Sequence, residues 1–160
     1  MTGPTPGPHG GAPAHQFRKS RVRRVVDAVV GVLVRWGLVP RTFLLTTTGR
    51  KTGRPLTHPA TVVEHDGRRW LVSPYGVVSW VRNVRAGSHV ALHRRRERHE
   101  YTAREVSAAE AGPVLKEYVR IAGATRPYFR ARPDAPVSDF VAEAELHPVF
   151  ELTPERPTAS

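Results

Sequence analysis

The 160-residue sequence predicts an α+β fold built around an antiparallel β-barrel. Three observations carry that reading. Beyond "GLVP" the chain breaks into short β-branched runs: "RTFLLTTT", "LTHPATVVEHD", "RRWLVSPY", "HVALHR", "RHEYTAREVS" and a closing "HPVFELT". Turn signals such as Asp66-Gly67 and Ala86-Gly87 separate them, and Asp-Gly between two runs marks a hairpin. The helical stretches are few and inserted between largely sequential strands, which argues for an antiparallel barrel and against βαβ winding.

Each element follows from its local pattern. Residues 1–16, "MTGPTPGPHGGAPAHQ", are rich in Pro and Gly and predict a disordered tail, as do residues 154–160. Residues 17–36, "FRKSRVRRVVDAVVGVLVRW", place Val22, Val25, Val26, Val29, Leu33 and Trp36 on one helical face, with five cations crowded at the start. Such a helix either packs on its own domain or lies on an anionic membrane surface, and its apolar stretch is too short to span a bilayer. After the strands begin, "SWVRNVRAG" predicts a short helix capped by Ser79 and stopped by Gly87. "SAAEAGPVLKEYVRI" opens with a capping box, Ser107 and Glu110. A Pro-broken loop, "ATRPYFRARPDAPVS", then leads to a short helix near 139–144 and the last strand. Residues 17–153 therefore form one expected domain, and no internal repeat is visible.

The composition narrows the chemistry. Cysteine is absent, which excludes disulfides, thiolate nucleophiles and Cys-based metal sites and fits a cytoplasmic protein. The N-terminus lacks a signal-peptide layout. The formal charge is +11, with Arg outnumbering Lys among the 25 cations, and this arises either from a genome that spends Arg codons freely or from an anionic partner. "TGRKTGRP" is not a nucleotide P-loop, because Arg50 stands where Gly must precede Lys51 and position 45 is Leu. His89, His93 and His99 share a hairpin without the helical His-Glu pairing or nearby carboxylates of a zinc site, so no metal is expected. No nucleophile elbow occurs. "HRRRERH" puts Arg94, Arg95 and Arg96 at a hairpin tip with no interleaved aromatics to stack bases, so nucleic acid is not expected as a partner.

The stretch "TTTGRKTGRP" remains. A strand ending in threonines runs into two glycines and three cations, which offers hydroxyls, backbone N–H groups, the Arg50 fork and the Lys51 point charge. Physically this is either a phosphate or carboxylate cradle or an ordinary basic hairpin turn.

"LLTTTGRKTGRPLTHPATVVEHDGRRWLVSPYG" followed by "SWVRNVRA" resembles the deazaflavin-dependent nitroreductase family over about residues 38–152. The resemblance implies a split β-barrel of the flavin-mononucleotide-binding type. It also implies coenzyme F-420, a deazaflavin with a phosphate and an oligoglutamate tail, with flavin mononucleotide as the alternative. It gives the acidic end of the coenzyme to Arg50, Lys51 and Thr52. Leu56 stands where some relatives carry a cation, which shifts that task toward Arg54. The deazaflavin would be lined by Leu56, Thr57, His58, Pro59, Ala60 and Thr61, by the corner Ser73, Pro74, Tyr75 and Gly76, and by Ser79, Trp80, Val81, Arg82 and Asn83. The substrate region of better-studied relatives carries several tyrosines. Here it offers Tyr118, Tyr128 and Phe129 in altered spacing, with Tyr128 as the candidate proton donor. The implied activity is hydride transfer from the reduced coenzyme to a small unsaturated, quinone or nitro substrate. The alternative is a barrel that binds a deazaflavin, flavin or fatty acid without turnover. Barrels in related families often pair as homodimers, and the sequence itself leaves the oligomeric state open between monomer and homodimer.

Overall fold

The structure, a computed structural model, describes residues 41–157. The expected helix over 17–36 lies outside the described residues, as does the Pro/Gly-rich tail.

Six antiparallel strands close into a barrel in the order β1-β2-β3-β6-β5-β4. They are β1 (Thr42–Thr48), β2 (Pro55–His65), β3 (Arg68–Val72), β4 (His89–Arg94), β5 (Glu97–Glu105) and β6 (Val149–Pro154). Between β3 and β4 lies α1 (Ser79–Ala86); between β5 and β6 lie α2 (Ala108–Ile121), a 3-10 turn (Gly123–Tyr128), α3 (Val137–Glu143) and a second 3-10 turn (Ala144–Leu146). The α+β barrel read from the sequence is the architecture found. The loop after α2 was expected to be irregular throughout, yet Gly123–Tyr128 winds into a 3-10 helix.

Alternation along the strands builds two cores. Leu45, Val62, Leu71, Leu92 and Phe150 point inward and fill the barrel together with Val81 and Val84 of α1. The next residues along, Val63, Trp70, Val72 and Val149, point outward and bury α2 and α3 through Leu115, Val119 and Phe140. Each such side chain contributes roughly 1.5 to 3 kcal/mol by leaving water. Neighbouring residues serving opposite faces hold the register, since a slip of one would exchange the two cores.

The turns behave as their residues require. Asp66 and Gly67 both take positive φ, 52° and 70°, the conformation of a two-residue hairpin turn. Arg95 does the same at 57°, so the tip of the β4–β5 hairpin is Arg95-Arg96, while Arg94 still pairs with Glu97 as the last residue of β4. The Ser107 side chain accepts from Glu110 N–H at 3.3 Å, the predicted cap of α2. The Glu110 carboxylate bonds Arg104 at 2.9 Å. Ser79, by contrast, does not cap α1: the cap position is Val78 and no side chain bonds the helix end. The first-turn N–H groups of α1 are thus left to whatever lies above them.

The histidines also differ from expectation. His89 sits between two carboxylates, its ring nitrogens 2.9 Å from both Glu100 and Glu155, and His99 Nε2 lies 3.4 Å from Glu97. Glu155 arrives from beyond β6, far away in sequence, which is why local spacing did not disclose it. Among the described residues no group of His, Asp and Glu is arranged to hold a metal. Likewise, no described helix is long and apolar enough to cross a membrane.

Gly112 marks the closest approach of α2 and α3. A Cβ there would stand 2.5 Å from Val141 Cγ2 and 3.1 Å from Val137 Cγ1. Gly112→Ala should therefore destabilise the fold by about 1 to 3 kcal/mol despite the better helix propensity of alanine, read as a lower urea midpoint. A gain in stability would show that α3 is free to give way.

Candidate functional site

One end of the barrel gathers the residues singled out in the sequence: the loop 49–54 between β1 and β2, the corner 73–76 after β3, and α1. The loop closes on itself. Gly49 N–H donates to Arg54 O at 2.8 Å and Gly53 N–H to Gly49 O at 2.8 Å, with Gly53 at φ 69°. A side chain at Gly49 would crowd the turn, because a Cβ would lie 3.0 Å from Arg54 O and 3.1 Å from Thr52 Oγ1. Arg54 N–H turns in to Thr52 Oγ1. Of the loop's backbone donors, those of Lys51 and Thr52 remain open.

Asn83 fastens this loop to the helix. Buried in α1, its Oδ1 accepts from Arg50 N–H at 3.3 Å and from Arg50 Nη1 at 3.0 Å, while its Nδ2 donates to Thr47 Oγ1 at 3.2 Å. The amide therefore positions Arg50 from within the protein instead of facing an open site. Arg50, Lys51 and Arg54 are exposed, and none has a carboxylate partner among the described residues. Arg82, also exposed, adds a fourth such cation on α1.

The segment 56–61 divides between two faces, because side chains alternate along β2. Leu56, His58 and Ala60 pair in register with Thr47, Leu45 and Phe43 and share their inward face. Thr57, Pro59 and Thr61 face outward, and the Thr57 hydroxyl bonds Thr46 Oγ1 at 2.7 Å. His58 lies beside Trp80, ring centroids 6.0 Å apart, and Trp80 in turn packs on Phe150 at 5.6 Å. Burial lowers the pKa of His58 and keeps it neutral, and its Nε2 is buried without a hydrogen-bond partner.

Three predicted residues turn inward. Val81 is fully buried in the barrel core, and Asn83 serves the loop as above. Ser73 is also buried, with its hydroxyl donating to Gly76 O. That bond holds the corner, where Gly76 takes φ 83°. Pro74 is half-buried, while Tyr75 is exposed and meets Tyr128 edge-on at 4.7 Å between centroids. Of the three aromatics in the late region only Tyr128 is open: Tyr118 and Phe129 are buried in the outer core. Burial raises the Tyr118 pKa, and its hydroxyl accepts from Thr125.

His147 carries no signal in the sequence. It is buried, its Nδ1 donates to Pro74 O at 3.0 Å, and its ring stacks on Phe129 at 4.0 Å. Since the Pro74 carbonyl can only accept, Nδ1 carries the hydrogen, and Nε2 is left buried without a partner. His147 thus ties the residue before Tyr75 to the residue after Tyr128. Nothing local in "ELHPVF" marks it; the link exists only once the barrel closes.

A sequence profile for the F420H(2)-dependent quinone reductases matches residues 16–138. The chain belongs to that family. It is accordingly an enzyme, an F-420-dependent reductase, as the deazaflavin likeness seen in the sequence implied. No curated protein matches the chain. Among solved structures, an F420-H2-dependent reductase (FDR-A) is 24% identical, with a TM-score of 0.52 over 71% of this chain and 95% of that one. A structure described as a domain-swapped dimer is also 24% identical, with a TM-score of 0.54 over 82% and 96%. HutZ, a heme storage protein from Vibrio cholerae, is 14% identical, with a TM-score of 0.51 over 72% and 82%. These likenesses show a shared split barrel.

In this family member, His147 supplies a pH dependence. Burial, the largest effect, lowers its pKa, against the opposing pull of the Pro74 carbonyl and Glu143. A histidine held neutral by the fold takes its proton more readily when unfolded. Stability is therefore full above the ordinary value of 6.5 and is lost as pH falls through the lowered folded value, and His58 acts in the same sense. His89, raised mainly by its bond to Glu155, works oppositely, but it is 53% exposed and contributes little. His147→Asn, which keeps a donor for Pro74, should lose about 1 to 2 kcal/mol at pH 8 and show a flatter decline between pH 7 and 5 in urea titrations. An unaltered slope would remove His147 from the account.

Proposed function

We propose that this chain transfers a hydride from reduced coenzyme F-420 to a quinone, with loop 49–54 holding the coenzyme's phosphate and acidic tail. The observation that carries the reading is the set of exposed cations, Arg50, Lys51 and Arg54, on a turn locked by its own backbone and left without carboxylate partners among the described residues. Such a turn fits a phosphate with a polycarboxylate tail, each charge-assisted bond contributing roughly 1.5 to 3 kcal/mol. The orphaned Nε2 of His58 beside Trp80 fits the polar edge of a flat ring system placed against Leu56, Ala60 and the corner Pro74, Tyr75 and Gly76.

Residue by residue, the roles differ from a uniform lining. Arg50, Lys51, Thr52, Arg54 and Arg82 bind the acidic end. Leu56, His58, Ala60 and Trp80 form the wall that excludes water. Ser79 offers the uncapped start of α1. Ser73, Val81 and Asn83 act from inside by holding the corner, helix and loop. Thr57, Pro59 and Thr61, on the outward face, brace β2 against β1. When bound, the reduced coenzyme supplies two electrons as hydride, since carbon replaces the nitrogen that allows ordinary flavins one-electron steps. Holding donor and acceptor in place contributes about 7 to 11 kcal/mol at best. A quinone that accepts hydride also needs a proton, and the exposed Tyr128 hydroxyl beside Tyr75 is the proposed donor, refilled from solvent.

Further parts of the reading concern assembly. Residues 17–153 act as one cytoplasmic domain, the basic segment 17–36 makes peripheral contact with anionic membrane, and the barrel forms a homodimer. The neighbour described as a domain-swapped dimer supports the last of these. Sedimentation with anionic vesicles tests the second. Binding should disappear when the chain begins at Leu38, and equal binding by the truncated chain would end the idea.

Lys51→Ala should weaken coenzyme F-420 binding by about tenfold or more in a fluorescence titration while the melting temperature stays within a degree or two. Reduced coenzyme should be oxidised on addition of quinones. Tight binding with no oxidation across quinones, enones and nitroaromatics would instead favour a carrier.

A further inference from the structure

The opposite end of the barrel carries a second cationic site. There the start of β1, the end of β4 and the hairpins β2–β3 and β4–β5 enclose a cleft of about 240 Å3 lined by Phe43, Arg69, Arg94, Arg95, Glu97 and His99. The guanidinium carbons of Arg69 and Arg94 both lie over the Phe43 ring, 5.3 and 5.4 Å from its centroid. Arg69 is held in place, its Nη1 donating to Tyr101 OH at 2.8 Å and its Nε 3.6 Å from Glu64. Arg94 Nε is buried and has no hydrogen-bond partner. Among the described residues neither Arg94 nor Arg95 has a carboxylate partner, while Glu97 lies against His99 at 3.4 Å.

Two like charges gathered on one phenyl ring, one with a buried N–H that bonds nothing, are costly unless something negative completes the group. The cation–π contacts offset part of that cost but leave the Arg94 Nε–H unsatisfied. A planar fork next to a second guanidinium is the arrangement that takes a phosphate or carboxylate by paired hydrogen bonds. Sharing Arg69 and His99 with this cleft is a larger one of about 350 Å3, lined also by Gly67, Arg68, Tyr101, Leu152 and Pro154. It offers an apolar bed next to the cationic group.

From this juxtaposition we infer that the barrel end at Arg69 and Arg94 is a binding site for a phosphate monoester with an apolar body. The phosphate lies between Arg69, Arg94 and Arg95, and the body lies across Tyr101, Leu152 and Pro154. The site is separate from loop 49–54, which stands at the other end of β1, about 20 Å away at the rise of an extended strand. It therefore does not depend on the coenzyme reading.

Calorimetric titration of the full chain with phenyl phosphate and with inorganic phosphate tests the inference. A saturable site that depends on Arg94 is expected, separate from any phosphate taken up at loop 49–54, with phenyl phosphate binding it more tightly than the inorganic ion. Arg94→Gln should weaken it by about tenfold or more, and Lys51→Ala should leave it unchanged. Should Arg94→Gln fail to fold, Arg95→Gln provides the same reading from an exposed position. Retained binding in the arginine variants, its loss in Lys51→Ala, or no saturable binding at all would overturn the site. The source of the ester is read from vesicles of phosphatidylcholine with and without phosphatidic acid. Arg94-dependent binding to the phosphatidic acid vesicles identifies a lipid headgroup, and phenyl phosphate binding without it identifies a soluble ester.

Discussion

Closure of the six-stranded sheet is the constraint on which everything else here depends. Once β1 pairs with both β2 and β4, and β6 fills the space between β3 and β5, no strand has a free edge and each residue's face is fixed. The inward residues have a single volume to fill, and the outward residues of β2, β3 and β6 must find a cover, which α2 and α3 provide. The barrel also acquires two ends with different chemistry. One carries the loop 49–54, the corner after β3 and α1; the other carries two hairpin tips.

The cationic loop depends on that closure through one amide. Asn83 reaches Arg50 and Thr47 only because α1 plugs the barrel with Val81 and Val84 and so turns the next face of the helix toward β1. Positioning comes from the buried side, and charge is presented on the exposed side. His147 repeats the arrangement at the corner, where a buried ring fixes the backbone between two exposed tyrosines. Both devices spend buried hydrogen bonds on holding surface groups still, which preorganised binding requires.

Much of this was legible in the sequence, and the limits have physical causes. The strands could be read because β-branched runs end at Asp66-Gly67 and similar turns, and such signals are local. The loop 49–54 was legible for the same reason. What α1 does with its residues was not: eight residues supply too little periodicity to say that Val81 and Asn83 face inward, or that Val78 and not Ser79 ends the helix. The links of His89 to Glu155 and of His147 to Pro74 join residues 66 and 73 positions apart, and only the closed fold brings them together.

The match to the family covers residues 16–138 of this chain, whereas β6 begins at Val149. The segment by which the chain is recognised is therefore not a unit that can stand alone. Cut there, the sheet would open between β3 and β5, exposing two raw edges and the inner core along a seam. The apolar inner faces of those strands, now wetted, would seek a strand from another copy. A minimal coenzyme-binding fragment thus has to carry the final strand, though no candidate contact to the coenzyme lies on it.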